Sequence, residues 1–376
     1  MTEERAYWLA WSQIPGIGPV LLRRLQEYFG TLAVAWEAPK AKLGAVDGFG
    51  YQTVAKVQEV RSRVEPEKLL AQHLEKNPHF WTPADAEYPR LLLEIPSPPP
   101  VLYYRGQVEL QENLAAKPLV GIVGTRKPTE YGRRWTRKIS AALARNGFTV
   151  VSGLAEGIDT ESHAACLESG GRTIAVLGTG VDVIYPATNR ELYQQVIQQG
   201  LVLSEYPAKT APNRTHFPRR NRIIAGLSRA VLVMEAPNQS GALITARYGN
   251  EFGRDVYALP GRIDDLPSQG CLRLISQGAE IICQELDELL RKLGAIPQLE
   301  PQLDFVEVQP PVQNSVQPNL SPQLQQVIDA LTCESVAFDL IMQQTGLPTA
   351  EVSSALLQLE LMGLVSQLPG MRYKKS

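Results

Sequence analysis

Residues 119–126 read Leu119-Val120-Gly121-Ile122-Val123-Gly124-Thr125-Arg126, an apolar run that ends in a glycine turn and a cation. A short run that is apolar throughout, with no polar alternation, predicts a strand covered on both faces, as in a parallel sheet. Similar runs recur at Phe148–Val151, Thr173–Leu177, Leu201–Leu203, Ala230–Met234 and Val256–Leu259. Helical apolar spacing fills the intervals near Tyr131–Arg145, Ile158–Ser169, Arg190–Gln199 and Leu243–Phe252. The alternation predicts an α/β fold with an extended Rossmann-like parallel sheet as its core. Such sheets take ligands at the carboxyl ends of their strands, so the informative residues are those just after each run.

The chain has 376 residues, too many for one ordinary core. Residues 1–70 predict a small all-α domain of helix-hairpin-helix or SAM-like type. It carries two similar turns, Ile14-Pro15-Gly16-Ile17-Gly18 and Val46-Asp47-Gly48-Phe49-Gly50, each leading into an amphipathic run. The glycines let backbone N–H groups approach a phosphate, or they are tight turns in a helical bundle. The basic followers Arg23 and Arg24 occur only after the first turn. Residues 71–297 make the Rossmann-like domain, 298–323 a linker rich in Gln and Pro, and 324–376 a winged-helix-like module. The expected recognition helix, Thr349–Met362, holds Glu351 and Glu360 and no Lys or Arg, which favours scaffold or protein contact over DNA reading.

The composition is that of a globular chain, 44% hydrophobic and 20% charged, with a net charge of −2. No global positive field exists, so any nucleic-acid site must be local. Cys166, Cys271, Cys283 and Cys333 form no close pair, against a disulfide framework or a zinc site. Neither a signal peptide nor an apolar run of about 18 residues is visible, and the cytosol is the expected compartment.

Local positive charge is plentiful. Lys117, Arg126, Lys127, Arg133, Arg134, Arg137, Lys138 and Arg145 stand against the single acid Glu130, although a solvated helix face would account for Arg133, Arg134, Arg137 and Lys138. A second stretch, Lys209 to Arg229, contains Arg214, Arg219, Arg220 and Arg222 and no acid. The turn from Gly121 to Arg126 is expected to offer backbone N–H groups to an anion at a helix N-terminus, with Arg126 adding a planar fork. Within Thr215-His216-Phe217-Pro218-Arg219-Arg220-Asn221-Arg222 an aromatic lies among cations, a pairing suited to unpaired bases and their backbone. Turns at Ser152–Asp159 and Gln239-Ser240-Gly241 complete the expected pocket. The set expected to contact a nucleic acid is Gly124, Thr125, Arg126, Arg214, Phe217, Arg219, Arg220, Asn221, Arg222, Ser240 and Gly241, with no catalytic residue, metal ligand or cofactor expected.

No Walker lysine pattern and no Gly-x-Ser-x-Gly occur. Asp159 and His163 stand four apart, read as a capping carboxylate and a structurally bonded imidazole. Glu235 is the best acid for a rival reading, a nucleotide-processing enzyme of phosphoribohydrolase type.

These residues resemble the DNA-processing protein A family, also called Smf, associated with natural transformation in bacteria. The matching elements are Val123-Gly124-Thr125-Arg126, Ser152-Gly153-Leu154-Ala155-Glu156-Gly157-Ile158-Asp159, Ser204-Glu205-Tyr206-Pro207 and, most specifically, Phe217 to Ser228. The resemblance implies a single-stranded DNA binder of competence and recombination, loading of RecA recombinase, a homodimer, and DNA contacts at Arg126 and around Arg214 to Arg222. Leu272 stands where the family usually has Asn, which puts the edge of the expected pocket in question.

Overall fold

The computed structural model describes residues 2–77, 79–283, 285–294, 321–331, 336–361, 364–368 and 372–375. The chain divides into two compact units, Met1–Glu300 and Pro301–Ser376.

The first unit opens with six helices, α1 (Thr2–Ser12), α2 (Pro19–Phe29), α3 (Leu32–Glu37), α4 (Lys40–Gly44), α5 (Tyr51–Arg61) and α6 (Pro66–Lys76). Trp8, Trp11, Leu22, Leu25, Leu32 and Leu43 are fully buried among them. Both glycine turns are present: Gly16 and Gly48 have φ of +93° and +88°, and Gly18 and Gly50 precede α2 and α5. The apolar turn residues Ile14, Ile17, Val46 and Phe49 are buried in the same core. Arg24 donates to the Asp47 carboxylate at 2.9 Å and to its backbone oxygen at 3.0 Å. That arginine therefore ties one hairpin to the turn of the other. The helices also share a core with the sheet, since Ala6, Leu9 and Leu70 cluster with Phe80, Val101 and Tyr103.

The sheet contains β1 (Phe80–Trp81), β2 (Leu102–Gly106), β3 (Leu119–Val123), β4 (Thr149–Ser152), β5 (Arg172–Leu177), β6 (Leu201–Ser204), β7 (Ala230–Val233), β8 (Asp255–Ala258) and β9 (Glu280–Ile281). Their order is β1-β2-β6-β5-β4-β3-β7-β8-β9. From β6 to β9 every pairing is parallel, and β2 and β1 add an antiparallel edge. Every residue of β3, β4, β6 and β7 is buried, as the uninterrupted apolar runs require for a two-face covered sheet. Helices α7 (Arg90–Leu93), α8 (Leu110–Asn113), α9 (Glu130–Arg145), α10 (Ile158–Glu168), α11 (Arg190–Gln199), α12 (His216–Leu227), α13 (Gly241–Glu251), α14 (Gln269–Ser276) and α15 (Leu286–Lys292) complete the unit.

The order reverses around β3. Its neighbour β4 follows through α9, whereas β7, on the other side, arrives only after β6. The loops after β3 and β7 therefore diverge and leave a crevice at the strand ends. Gly121, expected as part of the gripping turn, lies inside β3 opposite Val151 and Val231; the turn begins at Gly124.

The second unit has α16 (Pro322–Asp329), α17 (Phe338–Thr345) and α18 (Thr349–Leu361), with β10 (Val336–Ala337), β11 (Val365–Leu368) and β12 (Arg372–Lys375) in the order β10-β12-β11. Its core includes Leu324, Val327, Ile341, Val352, Leu356 and Leu359, giving the winged helix expected. Most of the expected linker, Gln298–Leu320, lies outside the described residues, as do Cys333, Gly363 and the Pro369-Gly370-Met371 turn. Helix α16 starts at Pro322, beside the expected linker end at 323, with the Ser321 hydroxyl accepting from Leu324 N, a usual N-cap. On α18, Glu351 accepts from Gln323 of α16 at 3.3 Å.

Candidate nucleic-acid interface

A cavity of about 690 Å³ opens at the carboxyl ends of β3, β4 and β7. Gly124, Thr125 and Arg126 line it from the loop after β3, Ala155 from that after β4 with Asp159 at the start of α10, and Pro237, Gln239 and Ser240 from that after β7 with Gly241 at the start of α13. Helix α12 supplies Phe217, Arg220, Asn221 and Ile224, and Arg214 and Tyr185 come from loops.

The glycines here serve close packing first. A Cβ on Gly124 would meet Ile158 Cγ1 at 2.5 Å, and one on Gly157, at φ +83°, would meet the Thr125 oxygen at 2.4 Å. Both let the start of α10 press against the loop, where Ile158 N donates to Thr125 O at 3.1 Å. Thr125 N is not offered to a ligand as expected, because it donates to Glu235 O at 2.7 Å. Thr125 Oγ1 accepts from Lys127 N at 3.2 Å and so shapes the turn. The cationic side chain on this turn that lines the cavity is Arg126. Its guanidinium lies over the Phe217 ring, 5.8 Å from the centroid, and Tyr185 sits beside the same ring at 5.5 Å and 31°.

The helical period sorts the second basic stretch. Phe217, Arg220, Asn221 and Ile224 fall at i, i+3, i+4 and i+7 and share the cavity face of α12. Asn221 Nδ2 donates to Gly241 O at 3.1 Å, tying α12 to the start of α13, where Ser240 Oγ accepts from Ala242 N. Arg222 turns the other way. It is buried and donates to both Glu205 oxygens at 3.0 and 2.9 Å and to Ser97 O at 3.1 Å. Arg219 is exposed outside the cavity lining. Arg222 thus departs from its expected place in the DNA-contacting set: its fork is already filled by a carboxylate inside the protein. Arg214, expected and exposed, does line the cavity.

Arg220 is nearly buried, with Nη1 donating to Gly153 O at 2.6 Å and to Val176 O. Burial pushes its pKa down to about 10, opposed by the charge of Asp159, so it stays a cation at neutral pH. Asp159 accepts from Gly153 N at 3.1 Å and Ala155 N at 3.3 Å. Burial raises its pKa, while Arg220 and these N–H groups pull it down. His163 is buried four residues on, and Thr173 Oγ1 lies 2.7 Å from its Nδ1. Since Thr173 Oγ1 donates to Val150 O, it must accept from Nδ1–H, which fixes the neutral tautomer. Burial and then Arg220 push the imidazole down to about 3. These groups brace the cavity floor. Asp159 accepts from the loop before α10 rather than from that helix's own first turn, as a capping carboxylate would, and Arg220, expected among the DNA contacts, is tied by Nη1 to the same floor.

Glu235, the acid of the rival reading, is buried outside the cavity lining. Its carboxylate accepts from Thr129 N and Thr129 Oγ1, both at 2.8 Å, which pins the start of α9. Leu272 is half-buried on α14 and does not line the cavity; that side is closed by Pro237 and by Gly270 N donating to Ala236 O at 2.7 Å. Tyr185 was missed as a site residue. It sits far from α12 in the sequence, and only the fold brings it to Phe217.

The family profile described as DNA recombination-mediator protein A matches residues 79–294, and one described as DprA winged helix domain matches residues 310–371. Protein Smf of Synechocystis sp. is 52% identical over 99% of both chains. Among solved structures, DNA processing protein A from Streptococcus pneumoniae matches with a TM-score of 0.66 and 37% identity, covering 76% of this chain and 96% of that one. DNA processing protein A from Helicobacter pylori, solved for its single-stranded DNA binding mode, matches with a TM-score of 0.51 and 31% identity, covering 57% and 95%. No helix among the described residues is long and apolar enough to cross a membrane.

Proposed function

Since the chain belongs to the DNA recombination-mediator protein A family, we propose that it binds single-stranded DNA in the cavity at the ends of β3, β4 and β7. It performs no chemistry on the strand; it protects it and passes it to RecA recombinase during transformation and recombination in the cytoplasm, acting as a homodimer. The observation that carries this reading is the meeting of Arg126, Arg214 and Arg220 with the rings of Phe217 and Tyr185 in one cavity. Cations match the phosphates, and the rings match unpaired bases, which present their π faces only when unstacked. Gly124, Thr125, Asn221, Ser240 and Gly241 shape the walls. The C-terminal winged helix takes a protein-contact role, because α18 carries Glu351 and no Lys or Arg.

The phosphoribohydrolase reading needs a free acid near a ribose. Glu235 is held by Thr129, and Asp159 is turned onto backbone N–H groups. Binding should be measured over a range of salt for a single strand, a duplex of the same sequence and a nucleoside monophosphate. The single strand is expected to bind tightest with the steepest salt dependence. Preference for the monophosphate, with release of free base, would overturn the proposal.

A further inference from the structure

The basic run on α9 splits into two faces. Arg133 and Arg137 point at α10, where Glu161 accepts from both at 3.2 and 3.1 Å and Glu168 pairs with Arg137. Those charges are neutralised within the protein. Tyr131, Arg134, Trp135 and Lys138 occupy i, i+3, i+4 and i+7 of the other face. Arg134 Cζ lies 6.0 Å from the Tyr131 ring centroid, and Lys138 Nζ lies 4.7 Å from that of Trp135. The two rings are 6.4 Å apart, so the four side chains form one continuous ladder. Among the described residues neither Arg134 nor Lys138 has a carboxylate partner, and both are exposed. Tyr131 anchors the end nearest the strand termini, its hydroxyl donating to Pro260 O at 2.9 Å just beyond β8.

We infer that this ladder is a second phosphate track, which holds a single strand as it leaves the cavity. The inference rests on the reading of the cavity as a single-strand site. Continuity supports it: α9 starts at Glu130, directly after the turn that carries Arg126 into the cavity. From Tyr131 to Lys138 the helix rises about 10 Å, room for more than one phosphate at the ~3.4 Å per nucleotide of a stacked strand. Charge supports it too. Glu130, Glu161 and Glu168 pair with Arg133 and Arg137, so the ion pairs of α9 leave Arg134 and Lys138 out. The rings hold the two cations outward by cation–π contact and stiffen them for a repeating anion.

The test compares wild type with the double variant Arg134→Ala/Lys138→Ala on two oligothymidylates, of about six and about twenty residues. On the short one, which fills only the cavity, affinity and salt slope are expected to match wild type. On the long one, affinity is expected to fall roughly tenfold and the slope of log K against log salt to shrink by about 1.4, two phosphates at about 0.7 each. An unchanged slope on the long strand overturns the track, leaving the ladder to an acidic protein partner. An equal loss on both lengths also overturns it, because the effect then passes through the cavity. Failure of wild type to bind the short strand overturns the cavity reading itself, which Arg126→Ala tests separately.

Discussion

Arg126 lies over the face of Phe217, its guanidinium carbon 5.8 Å from the ring centroid. One residue comes from the turn after β3 and the other from the first turn of α12. Their meeting combines the two recognition elements a single strand needs, a cation for the backbone and a π face for a base. The two should separate in experiment. Phe217→Ala is expected to weaken binding of an oligonucleotide by about 1–3 kcal/mol, the usual worth of one base stack, with the salt slope unchanged because no phosphate contact is lost. A titration at several salt concentrations checks both. A flattened slope would show that Phe217 acts by holding Arg126 rather than by stacking.

Arg222 should behave differently from its neighbour Arg220. It fills both Glu205 oxygens within the protein, so Arg222→Ala leaves a half-buried carboxylate without its partner. Breaking a fully buried pair typically destabilises by about 3–5 kcal/mol, and this one is expected to cost less. The expected outcome is a marked drop in thermal midpoint, partly restored by adding Glu205→Ala, with little effect on oligonucleotide affinity measured well below the midpoint. A large affinity loss in a variant of normal stability would return Arg222 to the binding surface.

The acid side of the stability curve should carry the signature of His163. Its folded pKa of about 3 lies below the ordinary imidazole value of 6.5. Between those limits the unfolded chain binds a proton there that the folded chain refuses. Stability from this group is therefore complete above pH 6.5 and lost as pH falls toward 3. Asp159, whose folded pKa is raised from 3.8, works in the opposite sense, so the comparison must be against a His163 variant. His163→Asn is expected to lose up to one proton's worth of slope over that range in denaturant-unfolding measurements. Parallel curves for the two proteins would contradict the buried neutral imidazole.

Most of the core was legible in the sequence, for a physical reason. Strands covered on both faces must be apolar throughout, and β3 to β8 each fall within a residue or two of such a run. The edge strands left no such mark: β1 and β9 are two residues long, and β2 ends in exposed Arg105 and Gly106. The site was legible in composition but not in orientation. Arg219, Arg220 and Arg222 look alike in a basic run, and only the helical period of α12 decides which of them faces the cavity and which meets Glu205. The same holds on α9, where Arg133 and Arg134 are adjacent in sequence and the first meets Glu161 while the second lies over Tyr131. Glycines at 124 and 157 suggested an anion cradle, whereas the contacts a Cβ would make show that they allow α10 to close on the turn.

The central claim, that a single strand is held in this cavity by Arg126, is tested most directly by one salt titration. Binding of a labelled oligothymidylate is measured for wild type and Arg126→Ala across a range of ionic strength. The account predicts weaker binding by the variant, most pronounced at low salt, and a slope of log K against log salt smaller by about 0.7, one phosphate contact on a single strand. An affinity and a slope both equal to those of wild type would contradict it.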